Sequence, residues 1–176
     1  ISAFETLVRK YQNRVARVIY LLLGNQDDVQ DVAQETFIRA FRCIHTFKGN
    51  SSFPTWLHRI AVNTAHNWIR NNKRDREILM STEDWWHLNS DKPEDLLISR
   101  ERTLEIYEAL SRLPLIYREV IVLRHFDELS YEDIADIQQV PIGTVRSRLA
   151  KARELLHKLL SKEHLTHKER KDKHGL

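Results

Sequence analysis

The chain has 176 residues, 41% hydrophobic and 30% charged, which excludes a disordered polymer and allows one domain or two small ones. Its four Gly, four Pro and single cysteine (Cys43) argue against a turn-rich sheet protein and exclude an internal disulfide or an ordinary zinc set, leaving an all-α fold in a reducing cytoplasm as the expectation. The net charge of +3 conceals an alternation, because residues 1–75 carry +5, residues 76–103 carry −3, residues 104–142 carry −5 and residues 143–176 carry +6, so two basic blocks suited to a polyanion flank an acidic middle.

The first helix is predicted over residues 3–23, where Phe4, Leu7, Val8, Tyr11, Val15, Val18, Ile19 and Leu22 recur at helical spacing before Gly24-Asn25. A second begins near Asp27, read as its N-cap, with Val29, Val32, Ala33, Thr36, Phe37, Ala40, Phe41 and Ile44 on one face. Asp27, Asp31 and Glu35 form an acidic stripe on another face, where either a docking surface or plain compensation of the helix dipole accounts for them.

Residues 45–56 read as a loop, and Pro54 within them suits a first helical turn. The third helix then runs to about Arg74, with Leu57, Ile60, Ala61, Thr64, Ala65 and Trp68 inward and Trp56, Arg59, Asn63, Asn67 and Arg70 in a second row. Aromatic, guanidinium and amide groups in one row are the types that stack on bases and bond to base edges and phosphates, though Trp56 alone suits core packing equally.

No membrane-length apolar run and no signal-peptide pattern is present in the sequence. Residues 76–100 lose periodicity and read as a flexible linker, in which Trp85 and Trp86 either dock on a neighbouring domain or partner or stiffen a short helix. A second unit opens near Glu101, and a helix follows from Leu115 to Phe126. Ser130 and Asp133 then resemble a capping box, Val140 to Gly143 a tight turn, and Thr144 the cap of a longer helix, which together predict a helix-turn-helix. On its second helix Val145, Leu149, Ala152 and Leu156 make a seam, while Arg146, Ser147, Ala150, Lys151 and Glu154 lie opposite and Arg148 and Arg153 flank it. Arg paired with small polar residues near a helix N-terminus suits base-edge and phosphate contacts in a major groove.

Three segments carry a family resemblance. Residues 28–41 (DVQDVAQETFIRAF) resemble the polymerase-binding helix of sigma region two, residues 53–68 (FPTWLHRIAVNTAHNW) its melting and −10-reading helix, and residues 113–153 sigma region four. Together they resemble an extracytoplasmic-function sigma factor of the sigma-70 family, similar to the envelope-stress sigma factors. The resemblance implies region two over residues 1–75, a linker over 76–100, region four over 101–163 and a basic tail over 164–176.

It also implies roles. Asp31, Gln34 and Glu35 would dock on a coiled coil of the largest subunit of core RNA polymerase, and the flap of the second-largest subunit is a further implied partner of the chain. Phe47, Lys48 and Phe53 would capture a flipped −10 base, with Trp56, Arg59 and Asn63 completing −10 binding and melting. Arg146, Ser147, Arg148, Lys151 and Arg153 would bind the −35 promoter DNA; the family often has an aromatic at the position of Ala150 and Arg at that of Lys151. Family members carry a leading stretch before the position of Ile1, and an anti-sigma protein keeps many of them idle, in some cases at the inner membrane.

Two other classes compete. A stand-alone helix-turn-helix repressor or activator would leave the acidic stripe and aromatic loop without a purpose. A helical metal-dependent enzyme is prompted by nine His and the tail HLTHKERKDKHGL, read as frayed, but no metal-binding carboxylate pattern and no nucleophile–base arrangement is legible. The expectation is therefore no cofactor, no metal, no small-molecule substrate and no catalysis.

Overall fold

The computed structural model describes residues 2–72 and 97–173. Helix α1 (Ser2–Leu23) closes at Gly24, whose φ of 77° places it in the left-handed region and whose amide donates to the Tyr20 carbonyl at 2.8 Å. Helix α2 (Val29–Cys43) starts one residue later than expected: Asp28, not Asp27, stands at the N-cap. The physical reason is a small side-chain clasp, in which the Asn25 amide donates to Asp28 Oδ2 at 3.2 Å and the Asp28 amide donates back to Asn25 Oδ1 at 3.3 Å. Asp27 thus lies outside the helix that bears Asp31 and Glu35.

Part of the expected loop is helical. A 3₁₀ turn covers Ile44–Thr46, and α3 (Phe53–Asn71) begins inside the stretch read as loop, because Ser52 accepts the Thr55 amide at 3.2 Å and Pro54 sits in the first turn. The α3 helix ends at Asn71, with the Asn72 amide closing on the Trp68 carbonyl at 2.9 Å.

The second unit opens with α4 (Leu97–Ser111), which takes the last four residues of the expected linker into a helix. The remaining linker, with Trp85 and Trp86, lies outside the described residues. Helix α5 (Leu115–Ile121) follows Pro114 and widens into a π turn over Val122–Phe126, closed by the Asp127 amide on the Val122 carbonyl at 3.2 Å. Helix α6 (Tyr131–Gln138) is capped as expected: the Ser130 hydroxyl accepts the Asp133 amide at 3.0 Å and donates to Asp133 Oδ2 at 2.6 Å. These bonds outweigh the effect of partial burial on Asp133 and hold its carboxyl below the ordinary range, with Thr55 helping.

The turn differs from expectation. Gln139 is left-handed (φ 53°), and α7 (Ile142–Lys173) starts immediately after Pro141, so Thr144 lies in the first turn rather than at the cap. Its amide already donates to the Pro141 carbonyl at 2.9 Å. Helix α7 also continues to Lys173, into the segment read as a frayed tail, since no Gly or Pro interrupts residues 144–173 and strong helix formers dominate them.

Burial explains how the elements assemble. Val15, Val18, Ile19 and Leu22 of α1 pack on Val29, Val32 and Ala40 of α2 and on Leu57, Ala61 and Ala65 of α3. In the second unit Leu110, Leu113, Val120, Ile134, Ile137, Val145, Leu149 and Ala152 do the same. The two interiors merge. Tyr20 and Leu21, off the predicted α1 stripe, are fully buried, because the second unit packs on α1 and α3 and a single apolar cluster runs through both.

Candidate functional site

Three surfaces hold the residues singled out in the sequence. On α2, Asp31 and Gln34 are exposed, and Glu35 is half-exposed and accepts from Arg39 Nε at 2.6 Å. With Ile38 and, from α3, Thr64, Asn67 and Trp68, they line an open groove of about 480 Å³. Ile38 and Phe41 leave 39% and 52% of their surface exposed beside it, so an acidic edge borders an apolar one. That combination suits a protein partner with a basic, partly apolar surface.

The loop before α3 brings Phe47, Phe53 and Trp56 into one aromatic cluster, with ring centroids 5.7 Å apart for Phe47 and Phe53 and 5.6 Å for Trp56 with each of them. Tyr11 of α1 joins at 5.5 Å from Phe53. Rings packed edge-on and tilted in this way hold one another in place and leave an aromatic surface to which a planar base can add. Lys48 and Asn63 are exposed. Arg59 is not free: it forms an ion pair with Asp136 of α6.

On α7 the seam of Val145, Leu149 and Ala152 is buried, and Arg146, Ser147, Lys151 and Arg153 are exposed. Arg148 is partly buried and donates to Gln138 Oε1 at 3.0 Å, which ties α7 to α6. Lys151 and Lys158 both bond to Glu154, at 3.0 and 2.6 Å, and hold its carboxyl down at about 2. Arg153 lies 3.4 Å from His125, whose pKa is lowered by burial and by the charges of Arg153 and Arg124. The exposed face is a cationic strip beginning at the helix N-terminus.

One polar set escaped the sequence reading because it joins the two units. Asp127 is wholly buried; Arg14 Nε and Arg17 Nη2 reach its Oδ1 at 3.0 and 2.9 Å, and His58 Nε2 faces its Oδ2. Burial alone would raise the Asp127 pKa, but the hydrogen bond and charge of His58, with Arg14 and Arg17, outweigh it and hold the carboxyl below its ordinary value. Thr55 donates to Asp133 Oδ1 at 2.8 Å, and His66 Nε2 lies 2.7 Å from the buried Glu119 carboxylate. Buried Arg118 spans the join, donating to the Leu22 carbonyl at 2.9 Å and to those of Ser111 and Leu113 at 2.6 and 3.1 Å. Burial lowers its pKa to about 10. The available sequence signal was the placing of His58 and the Arg118-Glu119 pair inside otherwise apolar stretches.

No group of His, Cys, Asp or Glu among the described residues is arranged to hold a metal ion, and no described helix is long and apolar enough to cross a membrane. Comparison with known proteins accounts for both halves of the chain. Residues 7–75 match the Sigma-70 region 2 family and residues 103–156 the Sigma-70 region 4 family. The chain is 39% identical over 166 residues to the RNA polymerase sigma-H factor of Pseudomonas aeruginosa, covering 90% of this chain and 86% of that one. It is 41% identical over 163 residues to the ECF RNA polymerase sigma-E factor of Haemophilus influenzae (88% and 86% covered) and 40% identical over 165 residues to that of Escherichia coli (88% and 85%).

Among solved structures, the fold is similar to the sigma factor RpoE of Bartonella quintana in complex with the anti-sigma factor NepR, with a TM-score of 0.72, 23% identity and coverage of 92% of this chain and 98% of that one. It is also similar to CnrH in complex with the cytosolic domain of CnrY, with a TM-score of 0.68, 24% identity and coverage of 92% and 89%. A stand-alone repressor would share the helix-turn-helix but not the region-two half. The chain belongs to the sigma-70 family as an extracytoplasmic-function sigma factor, a non-enzymatic protein that directs RNA polymerase to promoters.

Proposed function

We propose a division of labour among the three surfaces. The acidic and apolar edge of α2, with Asp31, Gln34 and Glu35, docks on the largest-subunit coiled coil of core polymerase, while the second unit rests on the flap of the second-largest subunit. Residues 1–75 then act on the −10 element, with Phe47, Lys48 and Phe53 receiving an extruded base and Trp56, Arg59 and Asn63 contacting the opened strand. Residues 101–163 read the −35 duplex through Arg146, Ser147, Arg148, Lys151 and Arg153, and that helix runs on to Lys173, into the basic segment.

The observation that carries this reading is the contrast on α7, where one side is buried to 1% or less at Val145, Leu149 and Ala152 and the opposite side offers Arg146, Ser147 and Lys151 to solvent. A helix so divided fits a major groove while remaining anchored to its own unit. Extruding a base costs a few kcal/mol, and stacking on aromatic rings returns about 1–3 kcal/mol per base, so the Phe47 cluster can bias opening without ATP.

An anti-sigma protein is a further partner on this reading, since both described structural neighbours are complexes, one of them with a protein named as an anti-sigma factor. The cytoplasm is the matching compartment, with the inner membrane reached only through such a partner. Run-off transcription with purified core polymerase on a family-type promoter tests the whole. Transcripts should depend on added chain and fall with Arg146→Ala; promoter-specific binding by the free chain at full strength, without core enzyme, would overturn it.

A further inference from the structure

His125 lies in the π turn of Val122–Phe126. Val122 and Leu123 of that turn are buried and Phe126 packs on Tyr107, with ring centroids 6.1 Å apart, whereas the imidazole is exposed. Its Nε2 stands 3.4 Å from Nη2 of Arg153, which is itself exposed on α7, about two turns beyond Arg146 and about 20° round the helix from it. A guanidinium can only donate, so Nε2 in this contact is the accepting, unprotonated nitrogen.

The charges around the pair are one-sided. Burial, then the charges of Arg153 from α7 and of Arg124 from the turn itself, lower the His125 pKa. Arg124 is committed to its own unit, where its Nη1 donates to the Leu129 carbonyl at 2.7 Å and its guanidinium stands over the Tyr131 ring at 5.2 Å. The nearby carboxylates are engaged elsewhere: Asp127 is buried against Arg14, Arg17 and His58, and Glu154 is bonded to Lys151 and Lys158. Glu128, beyond the turn, is exposed to water, and His157, one turn after Arg153 on α7, lies 3.5 Å from the Ser161 hydroxyl. Two cationic side chains thus meet at the rim of the exposed α7 strip in a geometry that an anion would complete.

We propose that His125 and Arg153 together bind one backbone phosphate at the edge of the −35 duplex, and that His125 takes up a proton as it does so. The neutral ring cannot donate from Nε2 while that nitrogen accepts from Arg153. With a phosphate oxygen between the two groups both donate, and the anion offsets the repulsion between guanidinium and imidazolium. DNA-bound chain then holds more protons than free chain, so promoter affinity rises as pH falls through the range in which histidine titrates, and levels off once the ring is charged in both states. The site adds to the −35 footprint a contact made from outside the helix-turn-helix, and it makes that contact sensitive to pH.

The proposal rests on the assignment of α7 to the −35 duplex, and the test separates the two. Promoter binding by holoenzyme reconstituted with the full chain is measured at fixed salt from about pH 8 to about pH 6 for the wild type, His125→Gln, His125→Lys and Arg146→Ala. The other histidines of the chain and of core polymerase are common to all four proteins. One pKa unit gained on binding is a tenfold gain in affinity for the charged ring, so the wild type should tighten about tenfold more than His125→Gln over that range. His125→Lys, charged throughout, should keep the acidic affinity of the wild type at about pH 8. At about pH 6, His125→Gln should also lower the slope of log affinity against log salt by about one, as loss of one phosphate contact does. Parallel pH profiles in the wild type and His125→Gln, with binding weakened in Arg146→Ala, overturn the phosphate site and leave the −35 assignment standing. His125→Lys behaving as His125→Gln at both ends of the range overturns it too. If Arg146→Ala binds as the wild type does, the assignment of α7 falls and the phosphate site with it.

Discussion

His58 of α3 and Asp127, the residue after the π turn, meet across the two units with neither side chain exposed to solvent. Removing one partner of such a pair leaves buried charge without compensation, which typically costs about 3–5 kcal/mol. Arg14 and Arg17 keep 36% and 27% of their side-chain surface exposed and can regain water, so Asp127→Ala should fall at the lower end, about 3 kcal/mol. Urea unfolding followed by circular dichroism measures it; a loss within error of zero would contradict the closed packing.

The same carboxyl gives a pH dependence with a definite sign. Against the pull of burial, His58, Arg14 and Arg17 hold the Asp127 pKa below its ordinary 3.8, and Ser130 and Thr55 hold that of Asp133 below the same value. The unfolded chain therefore takes up protons first, so this stabilisation is complete above pH 3.8 and is lost as pH falls through the lower folded values. The urea midpoint should drop steeply below that pH, and Asp127→Asn should flatten the drop. Equal slopes in the two proteins would remove Asp127 as the titrating group.

Charge reversal on α2 separates docking from folding. Asp31 is exposed and Glu35 pairs with Arg39 on its own helix, so changing both to Lys should leave helicity near normal and abolish co-purification with core polymerase. Retained helicity with retained co-purification would place the polymerase contact elsewhere.

The fold inside each unit was largely legible in the sequence, because one stripe per helix suffices to bury a local core. Val15, Val18, Ile19 and Leu22 were read correctly, and so was the Val145, Leu149 and Ala152 seam. Tyr20 and Leu21 were not, since their burial comes from a second unit that local periodicity cannot register. The Asp127 cluster was hidden for the same reason: Arg14, Arg17 and Asp127 each read locally as an ordinary charge, and His58 within an apolar stretch does not name its partner. The segment charges did carry a trace of it, in the acidic stretch that finds the basic first unit. Thr144 was misread as a cap because a Thr beside Gly143 looks like a helix start, whereas Pro141 had already supplied the terminal carbonyl. The widened turn over Val122–Phe126 leaves no periodic mark in an apolar run.

Reading a duplex and trapping a strand should separate by mutation. Arg146 is exposed at the start of α7, where it can reach base edges of the −35 duplex, so Arg146→Ala should cost about 1–3 kcal/mol in holoenzyme binding and relax preference there. Opening should be nearly spared once the complex is saturated. Phe47 instead packs edge-on to Phe53, and Asn63 is exposed one helical turn beyond Arg59; on the proposed division of labour both meet unpaired bases only after melting begins. Phe47→Ala or Asn63→Ala should leave closed-complex binding close to normal and lower permanganate reactivity of −10 thymines. A premelted −10 bubble should partly rescue Phe47→Ala, because the template then bears the unpairing cost that stacking offsets. It should not rescue Arg146→Ala, whose loss lies in the duplex upstream. Equal rescue of both variants, or of neither, would show that the two units do not divide the work in this way.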